Sequence, residues 1–370
     1  MPHDDVRHDA LDRPGDAPVQ LIDEHGAAAP AERAEGFDRP DDATLLELYR
    51  KMVVARRFDV QVTALTRQGR LATYPSAQGQ EASEIAAVLA LRDEDWLFPT
   101  YRDTIALLTR GVPPNELLTF FRGEWHMGFD PHAYRISPQA TPLATQTLHA
   151  AGLATAVKLR RDPVVALTLL GDGATSEGDT HEACNFAAVW HAPCVFVIQN
   201  NQYAISVPAD KQFKARSLAD RAIGYGMPGY WVDGNDAAAM SAVITGAVER
   251  ARTGGGPSLI EAVTYRLEAH TNSDDPTRYR ERTEEDEWRH RDPIARLGTF
   301  LRDAGALDDA REAEITTEAE ALAATTREAM NAELDIDPLE LFDHVYAHER
   351  PALRAQRDAL AAELTEEANA

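Results

Sequence analysis

Cysteine is nearly missing from this chain: two residues, Cys184 and Cys194, among 370. Two are too few for a disulfide scaffold, and no CxxC spacing suited to a metal is present. Lysine is almost as scarce, with Lys51, Lys158, Lys211 and Lys214 the whole set; arginine supplies the remaining basic residues, as a GC-rich coding bias would produce. Positive charge is outnumbered, 37 Lys and Arg against 61 Asp and Glu, for a formal net charge of −24. Such a chain lacks the basic surface that displaces counterions from nucleic acid, and an anionic membrane surface repels it. Long apolar runs are also absent. Nothing approaches the ~20 residues of a membrane span, and the N-terminus has no apolar signal core. The expectation is a soluble, cytoplasmic protein with neither nucleic acid nor membrane as partner. What is present, 44% hydrophobic and 26% charged residues over a length sufficient for one large or two ordinary domains, is ordinary for a globular protein.

Residues 1–38 are rich in Asp, Ala, Pro and Gly without a sustained period and read as a disordered acidic tail. The ordered chain is expected from about Asp41, where Leu45, Leu48, Met52 and Phe58 recur at helical spacing. A second helix is expected over 78–90. From about Thr145 the pattern alternates: a small-residue helix over 147–160, a strand at 164–170, a helix at 178–191, a strand at 194–199, a helix at 236–252 and a strand at 258–266. Continuous apolar runs joined by helices predict an α/β fold whose parallel sheet is covered by helices on both faces. Residues 267–282 are polar and without period, the signature of a functional or mobile loop. Helices are expected near 293–304, 309–333, 338–346 and 351–366. The chain thus divides into a tail (1–40), one domain (41–350) and a C-terminal helical tail (351–370), with helical extensions at both ends of the α/β part. No internal repeat is evident.

Ligands of open parallel sheets bind beyond the carboxyl ends of the strands. Two motifs fall there. Gly171-Asp172-Gly173 follows one strand, and Asn200-Asn201 follows the next, with 26 residues between Gly173 and Asn200. A GDG triplet alone marks many ordinary turns; the helix, second strand and NN at this spacing make it specific. A magnesium ion seeks near-octahedral oxygen ligands and, when it carries a diphosphate, takes some from that group. Asp172 offers a charged oxygen, Asn201 a neutral one and Tyr203 its backbone carbonyl. The glycines let the backbone approach phosphate, and a helix expected from near Ser176 would add free N–H groups. No GxGxxG follows a strand, which argues against a dinucleotide binder.

The pattern resembles the thiamine diphosphate motif. Longer blocks extend the similarity: TYRD at 100–103, TPLATQ at 141–146, GDGATSEGDTHEACNFAA at 171–188, NNQYAISVP at 200–208 and EAVTYRLEAHTNSDDPTRYR at 261–280. Together they resemble the alpha subunit of the decarboxylating component of 2-oxo acid dehydrogenases, nearest to the branched-chain (2-oxoisovalerate) type. The resemblance implies a thiamine diphosphate-binding fold and places Asp172, Asn201 and the Tyr203 carbonyl on magnesium. It further implies that Tyr101, Arg102, Gly173 and Ala174 contact the diphosphate, that Thr141 and Leu143 face the aminopyrimidine, and that Arg266 and His270 lie over the cofactor. Thr141, Thr145 and Gln146 also match a potassium-binding turn. His270 corresponds to the residue that interacts with reaction intermediates and assists acyl transfer to lipoamide, work suited to a group whose proton exchanges near neutral pH. His126, His132, His149 and His191 have no such match and read as structural.

Three departures stand out. Thr271 occupies the place of a phosphorylatable serine of mammalian relatives, which puts kinase control in doubt. Gln199 stands where those relatives carry an arginine near the diphosphate. The 123–139 stretch is shorter than theirs, so no cofactor contact is carried over to it.

The same resemblance implies what is absent. The glutamate that protonates the aminopyrimidine lies on a second, pyrimidine-binding domain, and no second set of strands is evident here. A separate beta subunit, an alpha-two beta-two heterotetramer and a lipoyl-bearing acyltransferase are therefore the implied partners, with a small 2-oxo acid as substrate. The implied reaction is oxidative decarboxylation of branched-chain 2-oxo acids such as 3-methyl-2-oxobutanoate, a step of branched-chain amino acid catabolism. A pyruvate-specific enzyme is the nearest rival; acetoin dehydrogenases and a non-catalytic binding homologue stand further off.

Overall fold

A computed structural model describes residues 13–34, 36–123, 127–332, 337–343 and 345–368. The first twelve residues of the expected tail, and His126, lie outside them. Among the described residues the strands in chain order are β1 (Trp96–Phe98), β2 (Ala166–Gly171), β3 (Cys194–Asn200), the short β4 (Tyr203–Ala204) and β5 (Val207–Pro208), β6 (Gly229–Asp233) and β7 (Ser258–Val263). Five of them form one parallel sheet in the order β1-β2-β3-β7-β6, while β4 and β5 pair as a separate antiparallel hairpin. Strand β3 is central and wholly buried, as its unbroken apolar run requires. Each of Val195, Phe196, Val197 and Ile198, at most 1% exposed, contributes roughly 1.5–3 kcal/mol of burial.

Helices flank this sheet. On one side Thr145–Arg160 packs on Gly178–Val189 through Ala150, Ala151 and Ala154 against Ala183, Cys184 and Ala187, side chains small enough for close approach. On the other side Ala237–Arg250 packs against Glu81–Leu89 and the sheet. The helices expected from periodicity are present with shifts of a few residues at their ends, except near 338–346, where the described residues form only a 3-10 turn, Pro338–Phe342. Asp41 caps Asp42–Arg67 by accepting from Thr44 N at 2.9 Å, which explains why order in that helix starts where the sequence suggested. Strands β1 and β6 had no counterpart in the sequence reading; they are short edge strands, three and five residues long, with too little apolar pattern to register.

The tail expectation also needs correction. Residues 13–34 are laid along the sheet edge. Val19 N donates to Trp231 O at 2.7 Å and Asp233 N donates to Val19 O at 3.1 Å, so Val19 forms a parallel bridge beside β6. The Asp236 carboxylate accepts from Leu21 N and Ile22 N, both at 2.7 Å, and also caps the next helix at Ala238 N and Ala239 N. Val19, Leu21 and Ile22 are thereby buried. Three apolar residues sufficed because the sheet edge already offered unpaired backbone groups.

The chain falls into two compact units, one ending at Ala329 and the other beginning at Met330, rather than dividing at 350. Taken alone, the second unit holds a 3-10 turn at Pro338–Phe342 and the helix Pro351–Ala368. Among the described residues no helix is long and apolar enough to cross a membrane.

Asp236 carries a testable consequence. Asp236→Ala removes four backbone hydrogen bonds and strips the buried Arg296 guanidinium, 3.5 Å away, of a partner. The expected cost is about 3–5 kcal/mol, read as a lower urea midpoint, together with faster proteolysis within residues 13–34. An unchanged midpoint would show that Asp236 does not anchor that segment.

Candidate active site

Parallel register builds the site. Gly171 pairs opposite Gln199, so β2 and β3 end level and release Asp172 and Asn201 into the same cleft. The cleft encloses a cavity of about 160 Å³. Tyr101, Arg102, Leu143, Asp172, Gly173, Ala174, Asn201, Tyr203, Arg266 and His270 all line it. Thr141 does not: it is exposed, and the chain brings only Leu143 of that turn to the wall.

Asp172 is 1% exposed and its pKa is raised by burial, an effect partly offset by the hydrogen bond from Gln212 Nε2 to Oδ2 at 2.6 Å. No cation pairs with it among the described residues. Asn201, 6% exposed, donates through Nδ2 to Gln80 Oε1 at 2.7 Å, while its Oδ1 accepts only a long bond of 3.3 Å from Tyr203 N. The Tyr203 carbonyl accepts from Arg266 Nη1 at 3.3 Å. Gly173 is required where it stands, since a Cβ there would lie 2.8 Å from the Ala204 Cβ. The residues after it form a 3-10 turn, Gly173–Ser176, and the helix begins only at Gly178. The helix N-terminus expected near Ser176 thus lies two residues later, because Thr175 Oγ1 and N both donate to Asp172 O.

Opposite the carboxylate stand two guanidinium groups. Arg102 donates to Ser76 O at 2.8 Å and through Nη2 to His270 Nδ1 at 3.1 Å and His270 O at 3.2 Å. Arg266 donates to the carbonyls of Tyr203 and Ile205 and to the Tyr279 hydroxyl. These partners are carbonyls, a phenol and an imidazole. Both buried cations therefore keep their charge for an anion. A guanidinium can only donate, so His270 Nδ1 accepts and the neutral ring carries its proton on Nε2. Burial, reinforced by Arg102 and Arg266, pushes the His270 pKa down to about 4.

The segment 267–282, expected as a mobile loop, has structure of its own. Arg280 donates to Arg266 O at 2.5 Å and Leu267 O at 2.7 Å, and the Asp274 carboxylate accepts from His270 N at 2.8 Å and the Tyr279 hydroxyl at 2.5 Å. The helix Arg282–Arg289 follows; its Trp288 stacks on Tyr265 with ring centroids 5.3 Å apart, and its Glu284 accepts from the Tyr203 hydroxyl at 2.8 Å. His132, His149 and His191 are exposed and away from the cleft. Sequence reasoning overlooked Gln80 and Gln212, and read Gln199 only as a missing arginine. Polar residues of this kind carry no chemical motif, and Gln80 meets its partners across more than a hundred residues of chain.

Residues 49–335 match the family described as the dehydrogenase E1 component. The chain is 49% identical over 347 residues to the 3-methyl-2-oxobutanoate dehydrogenase subunit alpha of Mycobacterium tuberculosis, with 94% of each chain covered. It is 42% identical over 318 residues to the pyruvate dehydrogenase E1 component subunit alpha of Staphylococcus aureus, covering 85% of each.

The His270 geometry predicts a pH response. With its pKa lowered from 6.5 to about 4, the folded protein binds fewer protons than the unfolded chain in that window. This group's contribution to stability is complete above pH 6.5 and is lost as pH falls towards 4. NMR titration of the cofactor-free protein should give a His270 midpoint near 4, and Arg102→Gln should raise it. A midpoint near 6.5 in the unsubstituted protein would contradict the contact.

Proposed function

The chain belongs to the dehydrogenase E1 component family, and on that premise we propose that it is the alpha subunit of a branched-chain 2-oxo acid dehydrogenase. One observation carries the reading most directly. A buried carboxylate without a cation faces two buried guanidiniums without a carboxylate, across one cleft. That charge pattern fits a metal ion carrying a diphosphate. Among the described residues no three His, Cys, Asp or Glu side chains cluster to hold a metal by themselves. Asp172, the Asn201 amide oxygen and the Tyr203 carbonyl leave an octahedral magnesium ion short of ligands, and diphosphate oxygens would complete it.

When bound, thiamine diphosphate supplies the electron sink that decarboxylation of a 2-oxo acid requires. The chain's own residues bind and orient. Asp172, Asn201 and Tyr203 would hold magnesium; Tyr101, Arg102 and Arg266 would hold the diphosphate, Arg102 through a fork suited to phosphate oxygens. Gly173 and Ala174 offer backbone, and Leu143 an apolar wall towards the aminopyrimidine. His270, neutral at physiological pH with its proton on Nε2, would donate a hydrogen bond during acyl transfer to lipoamide on the acyltransferase component. Thr141 has no role in this reading. At the turn of Thr141, Thr145 and Gln146 a potassium ion would meet the Gln146 amide oxygen, because Nε2 is spent on the Leu143 and Leu169 carbonyls at 3.1 and 3.0 Å.

The described residues contain one five-stranded sheet and a two-stranded hairpin. That inventory has no room for a pyrimidine-binding domain, which supports a beta subunit as its source and an alpha-two beta-two assembly as the working enzyme. The branched-chain assignment over the pyruvate one rests on the higher identity and wider coverage.

Reconstitution with a beta subunit, followed by decarboxylation assays, tests this directly. The alpha chain alone should be inactive, and the assembly should prefer 3-methyl-2-oxobutanoate to pyruvate. Activity of the single chain, or a large preference for pyruvate, would sink the respective part. Asp172→Ala should weaken magnesium-dependent thiamine diphosphate binding by at least about 100-fold in calorimetry, since it removes the one charged ligand; unchanged affinity would refute the metal assignment.

A further inference from the structure

Behind the cleft runs a chain of hydrogen bonds with a fixed direction. Asn201 Nδ2 donates to Gln80 Oε1 at 2.7 Å, and Gln80 Nε2 donates to Gln199 Oε1 at 2.8 Å. Gln199 Nε2 donates to Asp103 Oδ1 at 2.5 Å, while Asp103 Oδ2 accepts from Thr100 N at 2.5 Å. Ser83 Oγ adds a second donor to Gln199 Oε1 at 3.0 Å. Asn201, Gln80, Gln199 and Asp103 are 6, 1, 2 and 0% exposed, so each relies chiefly on its protein partners for hydrogen bonds.

An amide can rotate by half a turn and exchange its donor and acceptor ends at almost no steric cost. A carboxylate cannot, because it only accepts. Asp103 therefore takes the nitrogen of Gln199 and leaves the Gln199 oxygen facing Gln80. That oxygen takes the nitrogen of Gln80, which leaves the Gln80 oxygen facing Asn201. The last link takes Asn201 Nδ2 and leaves Oδ1 towards the cleft. We infer that Asp103, acting through Gln199 and Gln80, is a positioning residue that sets the orientation of the Asn201 amide, so that its oxygen rather than its nitrogen meets the bound cation. The weak bond from Tyr203 N to Asn201 Oδ1 at 3.3 Å acts in the same direction.

The backbone is shaped for this relay. Gly79 has φ +96°, and a Cβ there would lie 1.9 Å from Tyr265 O, so only glycine lets the chain pass under Tyr265 and deliver Gln80. A side chain without an acceptor at position 199, such as arginine, would end the relay at that point.

The inference rests on the magnesium site proposed above, and the experiment separates the two. Magnesium and thiamine diphosphate binding to the reconstituted alpha–beta assembly is measured by calorimetry, for the unsubstituted protein and for Asp103→Asn, Gln80→Met and their combination. Absence of magnesium-dependent binding to the unsubstituted protein would overturn the site itself. Given that binding, each single substitution should weaken magnesium affinity by roughly 10–100-fold, the usual effect of residues that orient a metal ligand. Because both break one chain, the double variant should be no weaker than the worse single one by more than about threefold, whereas independent packing defects would multiply. Folded variants with unchanged magnesium affinity, or multiplying effects, would overturn the relay. If Asp103→Asn does not fold, Ser83→Ala paired with Gln80→Met decides by the same comparison: non-multiplying losses support the relay and multiplying or absent losses refute it.

Discussion

The parallel pairing of β2 with β3, Gly171 level with Gln199, is the constraint on which the rest of the site depends. A slip of the register by one residue would exchange Phe196 and Ile198 for Val195 and Val197 in the core packed on one face, a mismatch of side-chain size that close packing does not tolerate. The core energy of the sheet therefore also fixes where Asp172 and Asn201 emerge. Precision at the cleft is a by-product of packing far from it. The hairpin of β4 and β5 then folds Ala204 against Gly173, so the two strand ends close on each other with no room for a larger residue.

Charge is distributed with the same economy. Asp172, Arg102 and Arg266 are each buried beyond the point at which an unpaired ion is comfortable, and none has an ion-pair partner among the described residues. Such groups are costly in isolation and are retained where a ligand supplies the counter-charge. His270 shows the consequence. Burial and two neighbouring guanidiniums favour its neutral form, so in the proposed reaction it would act as a hydrogen-bond donor rather than a cation. An arriving diphosphate would neutralise those guanidiniums, which couples the proton affinity of His270 to cofactor binding.

The loop around His270 is tied to the Asn201–Tyr203 side of the cleft. Tyr203, whose carbonyl faces the site, contributes its ring to a cluster with Tyr265, Tyr279 and Trp288, and its hydroxyl to Glu284. Arg266 bonds to the Tyr203 carbonyl and to the Tyr279 hydroxyl at once. Movement at 267–282 would be felt at Tyr203. The polar composition of the segment suggested mobility, but Arg280 is spent on the Arg266 and Leu267 carbonyls and Asp274 on His270 N and the Tyr279 hydroxyl instead of on solvent.

The sequence by itself determined the three inner strands of the sheet, the two motifs and the chemistry of most groups in the cleft. Apolar runs of six or seven residues ending at Gly171 and Asn200 announce buried parallel strands, and the residue types after them announce oxygen ligands. Those are local signals, written within a strand and a turn. The course of residues 13–34 was not legible, because three apolar residues acquire meaning only beside the open edge of β6. The absence of Thr141 from the cleft wall was a matter of where one turn points. Nor could the roles of Gln80, Gln199 and Asp103 be read. Glutamine carries no chemistry of its own, and the direction of a hydrogen-bond chain exists only once four side chains from distant segments are buried together, with a carboxylate at one end. Tertiary structure decided that orientation, because burial removes the water that would otherwise satisfy each amide either way round.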